Sequence, residues 1–136
     1  MRYELRGHTA DVAVEGWGER LGDAFAAVAD GMAAAMCEAV PVTGDRFTVE
    51  VAAESVEAAL FDYLDELIYQ RDVRSVLPVD NRARVEQDGD RWTVRASARG
   101  VPLDAIEARE IKAVTYSEMA VEEIDGEWRT YVVLDV

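Results

Sequence analysis

Four successive apolar residues, Tyr131-Val132-Val133-Leu134, limit the fold of this chain more than any other stretch. Neighbouring side chains of a strand point to opposite faces, so this run is apolar on both. Such a strand belongs in the interior of a sheet that is covered on each side. Trp128–Leu134 therefore reads as an interior strand, and the rest of the chain must supply its neighbours and its cover. Tyr3–Arg6 and Val12–Glu15 are candidate neighbours. In the second of these, Val12 and Val14 share one face while Ala13 and Glu15 share the other. Phe47-Thr48-Val49-Glu50-Val51 alternates in the same way and reads as a third strand.

The cover comes from two helical patterns. Leu21, Phe25, Val28, Met32 and Ala35 or Met36 recur at steps of three and four, which predicts an amphipathic helix over Leu21–Cys37. Its methionines and Cys37 read as core filling. Gly22 and Gly31 each weaken it by about 1 kcal/mol relative to alanine. Ser55 is placed to cap a second helix, whose apolar stripe runs through Val56, Leu60, Tyr63 or Leu64, and Leu67 or Ile68. Glu57, Asp62, Asp65 and Glu66 read as a solvated acidic face of that helix. Asp88-Gly89 marks a hairpin between Arg82–Val85 and Trp92–Ala96. Arginines 82, 84, 91, 95 and 99 intersperse there with acids 80, 86, 88 and 90, which favours cross-strand ion pairs over a nucleic-acid face. Gly100–Glu110 reads as a loop, Ile111–Tyr116 and Met119–Glu123 as strand segments, and Asp125-Gly126 as a second hairpin turn. The order of elements predicts an α+β fold: one compact domain over residues 1–136, with a mixed or antiparallel sheet structure and two main helices.

Charge bears on function. Twenty-eight acids against fourteen bases give a net charge of −14, and Lys112 is the only lysine beside thirteen arginines. The pattern resembles that of proteins from salt-loving organisms, whose cytosol screens self-repulsion over about 3 Å at 1 M salt; GC-rich coding favours the same composition. Direct binding to bare RNA is disfavoured, because it depends on neutralising phosphates. A basic protein partner suits such a surface better. The single cysteine leaves no intrachain disulfide and fits a reducing cytoplasm. No apolar run approaches the ~18 residues of a membrane span, and the first residues lack the apolar segment of a secretory signal, so a soluble cytoplasmic protein is expected.

Two stretches carry candidate chemistry. Gly7–Gly18 holds the only histidine, His8, and Asp11 stands immediately before the alternating run. Both belong to the turn feeding a strand, at a sheet rim. From local chemistry the turn reads equally as a structural polar turn or as a site. At the other end, Asp135 follows the apolar strand and precedes the carboxylate of Val136. If the two rims coincide, Asp11, Asp135 and the Val136 carboxylate form a set of hard oxygen ligands, suited to Ca²⁺, Mg²⁺ or Mn²⁺ rather than zinc. Taken alone, Asp135 reads as a solvated terminus. Lys112 suits a phosphate or a partner carboxylate, or is an ordinary strand lysine reaching solvent. His8 could order Asp11, ligate a metal, or serve as general base in a small metal-dependent hydrolase.

Three blocks extend this reading. His8-Thr9-Ala10-Asp11-Val12 with Gly16-Trp17-Gly18 and Leu21-Gly22-Asp23-Ala24-Phe25, then Ile111-Lys112-Ala113-Val114-Thr115-Tyr116, then Val132-Val133-Leu134-Asp135-Val136, resemble the signatures of the archease family. Two departures stand out: Ser117 replaces the family's usual histidine, and the Gly100–Glu110 connection is shortened. The resemblance implies a cytoplasmic tRNA-splicing accessory protein without turnover of its own. Its implied partner is a GTP-dependent RNA ligase of the RtcB type, whose guanylylation and multiple turnover it promotes; RNA is met only through the ligase, and no membrane is involved. It further implies a divalent-metal site, Ca²⁺ first, on Asp11 and Asp135, with Lys112 and His8 as nucleotide or partner contacts. Beside the metal-dependent hydrolase, a general protein chaperone is a third reading, one that predicts exposed apolar patches.

Overall fold

The computed structural model describes residues 1–7 and 11–136. Strands β1 (Arg2–Gly7), β2 (Asp11–Gly18), β6 (Ala113–Ile124) and β7 (Glu127–Asp135) form one antiparallel sheet in the order β1-β2-β7-β6. The doubly apolar run lies where its pattern requires, inside that sheet and between β2 and β6. Val132, Val133 and Leu134 are all buried. A second antiparallel sheet, ordered β3-β5-β4, is made of β3 (Arg46–Ala53), β4 (Val76–Asp88) and β5 (Arg91–Pro102). Helices α1 (Leu21–Met36) and α2 (Val56–Arg74) lie against both sheets, and one apolar core joins all of these layers.

Helix α1 departs from the amphipathic pattern. It packs on β1, β2 and β7 from one sheet and on β4 from the other. Ala24 through Ala29 are all buried, so almost no polar face is left. Small residues make this possible. A Cβ on Gly22 would stand 2.3 Å from the Ala83 carbonyl oxygen, and one on Gly16 would stand 2.7 Å from the Val28 nitrogen. The glycine that weakens α1 by propensity thus lets β4 approach it. Hydropathy periodicity under-reads such a helix because alanine and glycine carry little signal in either direction.

Helix α2 begins as expected, with the Ala58 N–H donating to Ser55 Oγ at 3.1 Å. The arginines of the second sheet also meet acids. Arg95 pairs with Glu86 and Glu50 on the strands to either side, each at 3.4 Å, and Arg99 pairs with Asp80 at 2.8 Å. The expected Gly100–Glu110 loop is shorter than the sequence suggested. Strand β5 runs on through Pro102, and a 3₁₀ turn covers Leu103–Ala105. Pro102 is tolerated because β3 stops pairing at Arg99, leaving only β4 alongside. The two expected segments after the loop are one strand, β6, which starts at Ala113 and leaves Ile111 and Lys112 outside it.

A polar cluster crosses the core between α1 and β4. Asp30 Oδ1 accepts from both the backbone N–H and the side-chain amide of Asn81, each at 2.9 Å, at the irregularity where β4 shifts register. Burial pushes the Asp30 carboxyl above the usual carboxylate range, opposed by these two hydrogen bonds and reinforced by nearby Asp80. A carboxyl raised in the fold binds its proton more tightly there than in the unfolded chain. Its contribution to stability is therefore present at low pH and lost as pH rises through the folded value. Asp30→Asn retains an oxygen acceptor and removes the titration. We expect the melting temperature of wild type minus variant to rise as pH falls from 7 toward 4. A pH-independent difference would show that Asp30 does not titrate in this range.

Candidate metal-binding rim

The two aspartates from opposite ends of the sequence meet. Strands β2 and β7 pair antiparallel with Asp11 directly opposite Asp135, and Asp135 is in turn opposite Ala113 of β6. Directly opposed residues share a face, with Cβ atoms about 5 Å apart. Like charges so placed repel, and a cation between them reverses the sign of that interaction. Asp135 is exposed, while Asp11 is half-buried with its Oδ1 inside, at a rim held by an interior strand.

Lys112 joins the same rim through its backbone, its N–H donating to the Asp135 carbonyl at 2.8 Å. The preceding residue fixes it there. The Ile111 side chain is fully buried, and its carbonyl accepts from the buried Arg71 guanidinium of α2 at 2.9 Å. Asp72 balances that guanidinium at 3.0 Å. The Lys112 ammonium is left exposed, with no ion pair among the described residues. Arg71 carried no signal in sequence beyond its place in the last turn of a helix. A guanidinium on the apolar side of that helix is the feature that marks it.

The donor set fits a hard divalent cation. Two aspartates at directly opposed register positions, Asp135 exposed and Asp11 with its Oδ1 buried, supply the hard oxygen donors that Mg²⁺, Mn²⁺ or Ca²⁺ take. No group of three histidine, cysteine, aspartate or glutamate side chains gathers to hold a metal among the described residues. The aspartate pair would therefore rely on backbone oxygens, the Val136 carboxylate or water for its remaining ligands. Val136 packs its side chain against the core beside Asp135. His8 lies outside the described residues. Val12, next to Asp11, lines a shallow cleft of about 320 Å³ with Leu5, Met36, Cys37 and Arg109.

Residues 3–136 match the model of the archease protein family. The chain belongs to the archease family. It is 36% identical to the protein archease of Thermococcus gammatolerans and 30% identical to that of Pyrococcus furiosus, in each case over 99% of both chains. The solution structure of protein 1598 from Methanobacterium thermoautotrophicum superimposes with a TM-score of 0.83 at 27% identity, covering 98% of each chain. The crystal structure of a Thermotoga maritima archease, described as a possible chaperone, shares the fold at a TM-score of 0.58 and 22% identity. Fold and family thus agree with the three sequence blocks. No helix is long and apolar enough among the described residues to cross a membrane.

Within this archease fold, the block Ile111–Tyr116 leads into a feature that the sequence did not announce. Thr115 pairs with Val133 and Ala120 with Tyr131, so residues 116–119 of β6 stand against Val132 alone. Thr115 Oγ1 fastens the start of this bulge by donating to the Val133 carbonyl at 3.0 Å and accepting from the Ser117 N–H at 3.3 Å. Glu118 turns it with φ at +55°. Bulges re-aim side chains, and this one sends Tyr116 over onto α2.

Proposed function

We propose that this archease is a non-catalytic activator of a GTP-dependent RNA ligase of the RtcB type in tRNA splicing, acting in the cytoplasm and presenting a divalent cation on the Asp11–Asp135 rim. The observation that supports this most is the cross-strand pairing of those two aspartates. It sets two family-block residues, 124 positions apart in the chain, at one place on the surface. A Ca²⁺, Mg²⁺ or Mn²⁺ ion held there would offer positive charge to phosphate oxygens. The chain's own residues orient that offer. Strand β7 fixes the Asp135 backbone, Arg71 and Ile111 fix the approach of Lys112, and Lys112 supplies a mobile cation beside the acids. The acidic balance, −14 overall, favours entry into a basic nucleotide- and RNA-binding cleft and disfavours binding RNA directly.

The test is RNA joining with the ligase limiting and GTP in excess. Ligase alone should stop after about one joining event per molecule, and added archease should restore repeated turnover. A ligase that turns over equally well without it removes the activator reading. A pull-down that returns many unrelated clients and no ligase would favour the chaperone role described for the Thermotoga relative.

A further inference from the structure

The outer face of the second sheet gathers charge of the opposite sign to the rest of the surface. Across β4 and β5, Arg82 stands directly opposite Ser97 and Arg84 directly opposite Arg95, with Ala83 opposite Ala96 between these two rungs. The two alanines turn to the other face and pack against the core. Residues two apart on a strand share a face, so the four outer residues mark a rectangle about 7 Å along the strands and about 5 Å across. These four and the two alanines line one surface hollow of about 360 Å³. Its floor is the backbone of Ala83 and Ala96.

Three corners are arginine and the fourth is a hydroxyl. Arg82 is exposed and has neither ion pair nor hydrogen bond among the described residues. Arg84 and Arg95 are like charges in direct opposition, which is unfavourable by itself. Glu86 reaches both, Arg95 at 3.4 Å and Arg84 at 3.9 Å, and Glu50 meets Arg95 at 3.4 Å. Arg46 of β3 donates to Ser97 Oγ at 2.9 Å and to the Asp80 carbonyl at 2.7 Å, with no carboxylate partner among the described residues. Ser97 therefore accepts from Arg46 and keeps its own O–H to donate. The Asp80 carboxylate is matched by Arg99 at 2.8 Å. Arginines 46, 82, 84 and 95 against Glu50 and Glu86 leave two positive charges here, on a chain of net charge −14.

We infer that Arg82, Arg84, Arg95 and Ser97 form a site for a phosphate group. Chemistry selects this ligand. A tetrahedral phosphate turns oxygens toward several donors at once, whereas one arginine fork already satisfies a carboxylate. Placed over the Arg84–Arg95 rung, it replaces their repulsion with attraction to both. The hollow lies on an open sheet face, so it admits a phosphate within a chain as well as a free one. The net charge keeps affinity for free RNA low, and the site counts most when a partner already holds the strand close by. Naming RNA on the ligase as the source rests on the proposed function; the phosphate chemistry does not.

The test is an NMR titration of the full chain at low salt with inorganic phosphate, with hexauridylate bearing a 5′-hydroxyl, and with hexaglutamate. Phosphate should shift the backbone amides of residues 82–84 and 95–97. Arg82→Gln and Arg84→Gln should each weaken that binding about fivefold, the loss expected of one charge in contact at a solvated surface. Arg91→Gln, an exposed arginine outside the hollow, should leave it unchanged. Unmoved amides elsewhere show that the variants fold. Hexauridylate acting on the same amides with the same dependence on Arg82 identifies an RNA backbone as the source, and a response to inorganic phosphate alone identifies a small phosphate; either upholds the site. Silence of both phosphate probes, affinity indifferent to Arg82→Gln and Arg84→Gln, or hexaglutamate binding these amides as tightly as hexauridylate overturns it. No ligase is present, so the result stands whether or not joining assays uphold the activator reading.

Discussion

Asp135→Asn is expected to reverse its stability relative to wild type according to whether divalent cations are present. In chelator the variant should melt slightly higher, because it removes one of two like charges placed directly opposite each other, a term of roughly 0.2–1 kcal/mol. With millimolar Ca²⁺ or Mn²⁺ the wild type should gain stability by binding the ion only when folded, and the order should invert. Calorimetry should show metal affinity down at least about tenfold, as expected when one charged ligand of so small a set becomes an amide. The same variant should fail to restore repeated ligase turnover. Lys112→Met should impair activation with little effect on the ion. If Asp135→Asn melts in the same order in both buffers and binds metal as wild type does, the rim holds no cation.

The largest effect on folding is expected at Gly16. Its missing side chain points at the backbone of α1: a Cβ would stand 2.7 Å from the Val28 nitrogen, 2.8 Å from Thr130 Oγ1 and 3.0 Å from the Ala24 carbonyl oxygen. None of these is the free end of a flexible chain. Thr130 is itself buried and within hydrogen-bond distance of the Gly16 and Ala24 carbonyls. Gly16→Ala must push helix from sheet, and overpacking of this kind costs about 3 kcal/mol. For a domain of this size that corresponds to a fall of roughly 10 °C in melting temperature. A loss below about 2 °C would mean that α1 can slide away from β2 at little cost.

Much of this architecture was legible because it rests on period and on turn chemistry. The apolar run at Val132–Leu134 demanded an interior strand, and Ser55 and Asp88-Gly89 marked where a helix and a hairpin begin. The register that sets Asp11 opposite Asp135 was not legible from spacing. Strand pairing depends on faces shared across more than a hundred residues, and only the family resemblance joined the two. The bulge at 116–119 left no mark either, since its turning residue is Glu118 rather than glycine. Helix α1 was found, but its second buried side was not. Alanines report small volume, which matters for close packing, and not hydrophobicity. Gly100–Pro102 was misread for a related reason: proline ends a strand only where the ladder needs its missing N–H, and there the ladder had already lost β3.

The placement of β7 has a consequence for how the protein is made. Strands β1 and β2 emerge from the ribosome more than a hundred residues before the strand that completes their sheet, and β6 cannot join them except through β7. Until residues 127–135 are available, β2 presents a bare edge and α1 lacks part of its cover. A chain interrupted anywhere before that point is left with an open, apolar surface and without Asp135 opposite Asp11. Such a fragment would be removed by proteolysis or lost to aggregation. The paired acids can thus be displayed only by molecules whose synthesis has passed through residue 135.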